Sequence, residues 1–114
     1  MKRTSSLFLR DILECIAKIK EYTSSLELEE LKDNQLVLDA VVRNIEVIGE
    51  AVKNIPAGIK EKYPYVPWIR IQNFRNIVVH KYWEIDFEIL VDILQSKLDE
   101  LEEQVQGILA TEGE

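Results

Sequence analysis

The sequence has one cysteine and one histidine in 114 residues. The single Cys15 cannot form a disulfide within the chain, and its place on an apolar helical stripe predicts a core side chain. One cysteine and one histidine also cannot supply the four ligands of a structural zinc site. We therefore expect neither a metal ion nor a cofactor.

Residues that break helices are scarce as well. Only 4 glycines and 3 prolines occur, and the abundance of Leu, Ile, Glu and Lys favours helix. The beginning, Met1-Lys2-Arg3, is basic, but no long apolar run follows it. We therefore expect neither a signal peptide nor a membrane span, and a cytoplasmic location.

Positive charge is in deficit, with a formal net charge of -7. Such a chain lacks the basic face with which a protein coats a nucleic-acid duplex. The acidic excess is concentrated at 27–33 and 99–114, which leaves room for a nucleic-acid enzyme with a small basic site. The residues that could form this site are close in sequence: Arg70, Arg75, His80 and Lys81.

Apolar residues at helical spacing predict an all-α fold in a single domain, 1–114. The last helix begins at the N-cap Asp86 and carries a coiled-coil-like seam of Phe87, Val91, Leu94, Leu98, Leu101, Val105 and Ile108. Residues 26–31 form either a short turn of helix or a linker, and the tail from about 110 to 114 frays. The main helices are expected at about 5–23, 34–54, from 67 or 68 to 80–82, and 87–109. They form an up-and-down bundle of four to five helices whose long seam suggests a dimer.

The helix at 34–54 carries polar residues that the core does not need. Asp39, Arg43, Glu46 and Glu50 recur at i,i+3 or i,i+4 and could form a solvated ladder of ion pairs. Asn44, on the apolar stripe, needs a hydrogen-bond partner if it is buried. Gly49 costs about 1 kcal/mol in mid-helix relative to alanine, which a close approach of another helix would offset.

Residues 75–82 form the most informative stretch. At about 100° per residue, a helix gathers its polar side chains within roughly 160° of one face. That face holds Arg75, Asn76, Val79, His80, Tyr82 and Trp83, whereas Ile71, Phe74, Ile77 and Val78 lie opposite. The helix thus presents a guanidinium, an amide, an imidazole and a phenol together, and only Lys81 breaks the pattern. The Pro-rich aromatic segment 63–68 that precedes it cannot be helical.

This stretch, Arg75-Asn76-Ile77-Val78-Val79-His80-Lys81-Tyr82, resembles the Arg-x4-His-x-Tyr motif of HEPN-domain proteins of the HepT group. Other segments resemble the same family in the same order. These are Leu9-Arg10-Asp11-Ile12-Leu13 with Ile19 and Tyr22-Thr23, Asp39 to Glu46, Ile48-Gly49-Glu50-Ala51, and Tyr63-Pro64 with Val66-Pro67-Trp68.

The resemblance implies a HEPN-like bundle and a homodimer with the motif at an interface cleft. It implies a metal-independent endoribonuclease, the toxin of a toxin–antitoxin pair, in which Arg75, His80 and Asn76 are catalytic. His80 can exchange protons near neutral pH, and Arg75 can bind phosphate. One histidine per chain is too few for separate acid and base, but a dimer supplies two.

In the family, an MntA-like minimal nucleotidyltransferase silences the toxin by adding AMP to the motif tyrosine. That position is Tyr82 here, and AMP on it would add negative charge beside the phosphate site. The sequence leaves open whether Asp39, Arg43, Glu46 and Glu50 line the cleft. Two other possibilities remain: a non-catalytic, nucleotide-binding helical partner of such a nucleotidyltransferase, and a purely structural bundle.

Overall fold

The computed structural model describes residues 3–77 and 86–112, and every regular element within these two ranges is helical. This confirms the all-α prediction. The elements are α1 (Arg3–Thr23), α2 (Leu28–Asp33), α3 (Gln35–Lys53), α4 (Ala57–Lys62), α5 (Trp68–Gln72), a 3₁₀-helix (Asn73–Ile77), α6 (Phe87–Asp92), a π-helical turn (Ile93–Lys97) and α7 (Leu98–Glu112).

The core lies between α1 and α3, which pack along each other, and α7 packs against α1. Their apolar residues recur every three or four positions, so one face of each helix is apolar. Burial of each large aliphatic side chain stabilises the fold by about 1.5–3 kcal/mol. Cys15 is buried in this core, as predicted, and its burial raises the pKa of the thiol. Fully buried members include Leu9, Ile12, Ile16, Ile19, Val41, Ile45, Ile48 and Val52.

Short-range hydrogen bonds set where the helices begin. The Asn34 side chain accepts a hydrogen bond from Val37 N at 3.1 Å and caps α3. Asp86 accepts one from Ile89 N at 3.2 Å and caps α6, as its sequence position predicts. Segment 26–31, for which the sequence allows helix or linker, contributes to α2, whose Leu31 is buried. Each cap satisfies a backbone donor that the first turn leaves without an intrahelical partner.

The aromatic segment is non-helical over residues 63–67, as predicted, whereas Trp68 is the first residue of α5. The segment is a packed structure. Tyr63, Val66 and Trp68 are buried, and the Trp68 indole donates a hydrogen bond to Tyr63 O at 3.0 Å. Tyr65 is 61% exposed. Tyr63 and Trp68 therefore support the chain where it enters α5, and of these aromatic rings only Tyr65 presents a large exposed surface.

The apolar seam of the last helix differs from the prediction in its first half. Leu98, Leu101, Val105 and Ile108 are buried as expected, but Leu90 and Ile93 take the core positions expected for Val91 and Leu94. The cause is the π-helical turn between α6 and α7, which adds one residue to a turn. The added residue rotates the preceding segment, so the neighbouring side chains face the core.

The last helix, expected to end at about residue 109, continues to Glu112. The Glu112 carboxylate lies 2.7 Å from Lys62 Nζ and accepts a hydrogen bond from the Tyr63 hydroxyl. This hydrogen bond raises the pKa of Tyr63 to about 12, and Lys62, followed by Tyr63, lowers the pKa of Glu112. The last turn is therefore held by tertiary contacts that a local pattern does not contain.

Within the described ranges, no helix combines the length and the apolar character that crossing a membrane requires.

Candidate functional site

The segment that carries Arg75 and Asn76 begins as α5 and tightens into the 3₁₀-helix Asn73–Ile77. The sequence predicts a continuous α-helix here, so the local helix type differs. The division into two faces is nevertheless confirmed for the described side chains: Ile71 and Phe74 are buried, and Arg75 and Asn76 are exposed. Residues three apart share a face in both helix types, which explains why the division survives.

Two other predicted site residues, His80 and Tyr82, lie outside the described residues, as do Val79, Lys81 and Trp83. The predicted contact between Asn76 and His80 therefore stays a prediction.

Gly49 brings the backbone of α3 against the segment that carries the site. A Cβ atom at this position would lie 2.9 Å from Gln72 O, and 3.5 Å from both Arg75 N and Ile71 O. No real side chain tolerates the first of these distances without a shift of backbone. The close approach predicted from a mid-helix glycine is confirmed.

The residue after this glycine, Glu50, reaches the candidate site. Its Oε1 accepts a hydrogen bond from Arg75 Nη1 at 3.1 Å. The two side chains are 54% and 40% exposed, respectively, so the ion pair is open to solvent and contributes about 0–1 kcal/mol to stability. The ion pair matters because it places a carboxylate beside the guanidinium that is predicted to bind phosphate.

The other polar residues of α3 do not form the expected ladder among themselves. Asp39 accepts a hydrogen bond from the Gln35 side chain, and Asn44 donates one to Ala40 O at 2.8 Å, which satisfies its partly buried amide. Arg43 is exposed and Glu46 is half-buried. Within residues 3–77 and 86–112, one ion pair involves the four charged residues of α3 predicted to form the ladder, and it joins Glu50 to Arg75.

A cleft of about 230 Å³ opens between the segment that carries the site and the start of the last helix. Its floor is apolar, and Asn73, Asn76 and two cationic side chains line it. The exposed Arg70 is one of these cations, and Lys97, whose Nζ lies 4.0 Å from Asp92 Oδ2, is the other. Together, the lining residues are Arg70, Asn73, Phe74, Asn76, Ile89, Asp92, Ile93 and Lys97.

Lys97 is the cationic residue of this cleft that the sequence did not point to. It is the sole basic residue between positions 86 and 112 of the sequence. A single basic residue in an otherwise acidic helix is a pattern by which it could have been found. Its side chain is only 28% exposed. The cleft thus gathers cations from two segments distant in sequence, in a chain that is acidic as a whole.

Chemically, the site can bind an anion and recognise polar groups. Arg75 presents a guanidinium whose several N–H donors suit a phosphate, even with one nitrogen bound to Glu50. Asn76 and Asn73 present amides that both donate and accept hydrogen bonds at the cleft.

Comparison with known proteins agrees with these features. A family model described as "Ribonuclease HepT-like" matches residues 12–108. The chain is 37% identical over 108 residues to "Putative RNase MJ1216" from Methanocaldococcus jannaschii, covering 95% of this chain and 89% of the relative. It is 37% identical over 90 residues to "Probable ribonuclease HepT" from Thermococcus cleftensis, covering 79% of this chain and 82% of the relative.

A longer relative also aligns. The chain is 33% identical over 109 residues to "Gamma-glutamylcyclotransferase and putative RNase MJ0434" from Methanocaldococcus jannaschii. The match covers 96% of this chain but spans only about half, 49%, of that protein. No solved structure matches the chain significantly. From the matched length and these identities, the chain belongs to the HepT-like ribonuclease family.

Proposed function

We propose that this protein is a metal-independent endoribonuclease that cleaves RNA with Arg75, Asn76 and His80. The observation that carries the proposal is the exposure of Arg75 and Asn76 in a chain of this family, with Asn76 lining a cleft that also holds Arg70 and Lys97. The names of the relatives, two of which contain the word RNase and one ribonuclease, support it.

Internal cleavage of RNA requires three things of the protein. A base takes the proton of the ribose 2′-hydroxyl, whose oxygen attacks the adjacent phosphorus. Positive charge stabilises the phosphorane, and an acid protonates the 5′-oxygen as its bond to phosphorus breaks. Arg75 supplies the charge, His80 exchanges protons near neutral pH, and Asn76 orients the phosphate or the imidazole. The products are a 2′,3′-cyclic phosphate and a 5′-hydroxyl.

The active form is a homodimer in this proposal, with the two copies of the motif facing one cleft. Two large apolar side chains near the site support this: Ile69, next to Arg70, is 77% exposed, and Ile89, which lines the cleft, is 48% exposed. A second copy that covered them would remove apolar surface from water and add its own histidine.

The decisive experiment is cleavage of a mixed-sequence RNA by the purified protein in the presence of EDTA. We expect cleavage, 2′,3′-cyclic phosphate ends, and no cleavage of DNA of the same sequence, because DNA lacks the attacking hydroxyl. Intact RNA after incubation at high protein concentration would contradict the proposal. Retention of nucleotide binding in that case would favour a nucleotide-binding partner of a nucleotidyltransferase instead.

We propose further that the protein is a toxin which an MntA-like nucleotidyltransferase silences by adding AMP to Tyr82. The cationic character of the cleft supports this, since an added phosphate beside Arg75 would compete with RNA phosphate. After incubation with ATP and such an enzyme, intact mass is expected to rise by one or more adenylyl groups and RNA cleavage to stop. A mass gain that survives Tyr82→Phe would contradict Tyr82 as the acceptor.

A further inference from the structure

We propose that Glu50 is a catalytic residue, the general base that removes the proton from the ribose 2′-hydroxyl. This inference rests on the proposed ribonuclease function and deepens it, because it divides the two proton transfers between different groups. The 2′-proton passes to the Glu50 carboxylate, the 2′-oxygen bonds to phosphorus, and the bond from phosphorus to the 5′-oxygen breaks. The departing 5′-oxygen takes its proton from His80.

The composition of the chain motivates a second proton-transfer group. Each cleavage needs a base and an acid, and the chain has one histidine. A dimer can supply two histidines, but both must then reach one phosphate across a two-fold axis. A carboxylate at the phosphate-binding arginine removes this requirement, because the base then comes from the same protomer as Arg75.

The position of Glu50 suits the base. Its Oε1 lies 3.1 Å from Arg75 Nη1, which leaves the other guanidinium nitrogens to donate hydrogen bonds to a phosphate. One guanidinium can thus hold the carboxylate and the phosphate side by side. The 2′-hydroxyl adjoins the phosphorus that it attacks, so it comes within reach of the same carboxylate.

The backbone around Gly49 fixes this arrangement. Because Gly49 packs directly against Gln72 O and Arg75 N, the Cα atoms of Glu50 and Arg75 are placed by backbone contact and do not depend only on two long side chains. The pair also remains accessible to substrate, with Glu50 54% and Arg75 40% exposed. A rigid support with exposed functional groups is the arrangement that catalytic positioning requires.

The main alternative base among the described carboxylates is Asp92, which lines the cleft. Its carboxylate is already engaged by the Ser96 hydroxyl at 3.2 Å and lies 4.0 Å from Lys97 Nζ. Glu50, in contrast, contacts Arg75 directly. A purely structural role for Glu50 is a further alternative, and an exposed pair of this kind contributes little stability.

Binding and chemistry should respond in opposite directions when the charge of Glu50 is removed. A carboxylate beside a phosphate repels it, so Glu50→Gln should bind RNA at least as tightly as the wild type. The rate of cleavage should nevertheless fall by about 100-fold or more, because a positioned base contributes about 10²–10⁴-fold. A structural or merely repulsive role of Glu50 does not produce this split.

The test compares Glu50→Gln, Asp92→Asn and His80→Ala on two RNA oligonucleotides. One is normal, and in the other sulphur replaces the bridging 5′-oxygen at the cleaved position, so that the leaving group needs no proton. Loss of the acid is rescued by this sulphur, and loss of the base is not. We expect Glu50→Gln to be slow on both substrates and His80→Ala to be slow mainly on the normal one.

Glu14→Gln is the matched control, since Glu14 also forms an exposed ion pair, with Lys18 at 3.2 Å on α1, and it should cleave at the wild-type rate. Binding is measured with a 2′-O-methyl RNA that cannot be cleaved. Cleavage by Glu50→Gln at the wild-type rate, rescue of Glu50→Gln by sulphur, or a large loss in Asp92→Asn alone would overturn the assignment of the base. If the wild type cleaves neither substrate, the proposed function itself fails, and the assignment fails with it.

Discussion

Arg75→Ala is expected to lower kcat/KM for RNA cleavage by about 10²–10³-fold, the loss typical of removing one preorganised stabiliser of transition-state charge. The physical reason is that the guanidinium is exposed and can meet the phosphorane. Stability should hardly change, because the ion pair that is lost with Glu50 is exposed. The measurement is the initial rate of cleavage under conditions where the variant and the wild type have equal helical circular dichroism.

Two further variants sharpen this result. Arg75→Lys retains the charge but loses the planar fork of donors, so a partial loss of rate is expected, smaller than that of Arg75→Ala. Lys18→Ala removes a cation from an exposed pair on α1 and should cleave RNA like the wild type. Equal activity of Arg75→Ala and the wild type would show that the cleft acts without this guanidinium.

Gly49→Ala is the second change for which a large effect is expected, and it should reduce both stability and activity. Overpacking costs about 1–3 kcal/mol, and alanine recovers about 1 kcal/mol of helix propensity, so a net loss of up to about 2 kcal/mol is expected. The added methyl group would lie 2.9 Å from Gln72 O, which forces the segment that carries Arg75 away from α3. The rate of cleavage should fall by up to about 100-fold, because a small displacement of a catalytic group can cause a loss of this size.

Thermal unfolding and RNA cleavage together measure this effect. For a domain of this size, we expect Tm to fall by up to about 10 °C. Gly107→Ala in α7 is the matched control, because nothing lies within 4 Å of a Cβ atom there. It should raise Tm, since alanine is the better helix former. A Gly49→Ala protein as stable as the Gly107→Ala protein would mean that α3 and the segment carrying Arg75 are further apart.

The local features of the fold were predictable because they depend on neighbours in the chain. Helix follows from apolar residues at three- and four-residue spacing, and the separation of Phe74 from Arg75 follows from the same periodicity. The cap at Asp86 needs only a carboxylate three residues before a free backbone N–H, which the sequence already contains. Gly49 is informative because a mid-helix glycine is costly unless something close compensates for it.

The membership of the candidate site was only partly predictable. Arg75 and Asn76 were identified by their place on a polar helical face and by the motif, and they are exposed as expected. Periodicity alone gave no reason to prefer Glu50 over Glu46, since both lie on the same side of α3. Glu46 and Glu50 are one helical turn apart, and this separation places the carboxylate of Glu50 at Arg75.

By itself, then, the sequence determined the helical class, the buried faces of α1 and α3, the cap at Asp86 and the polar stretch that begins at Arg75. Only the tertiary structure decided that Glu50 meets Arg75, that Lys97 joins Arg70 at the cleft, and that Glu112 is held by Lys62 and Tyr63. It also decided the π-helical turn, which moved Leu90 and Ile93 into the core. The reason is that periodicity reports whether a side chain faces the core, whereas contacts between segments depend on distances between helices that no local pattern encodes.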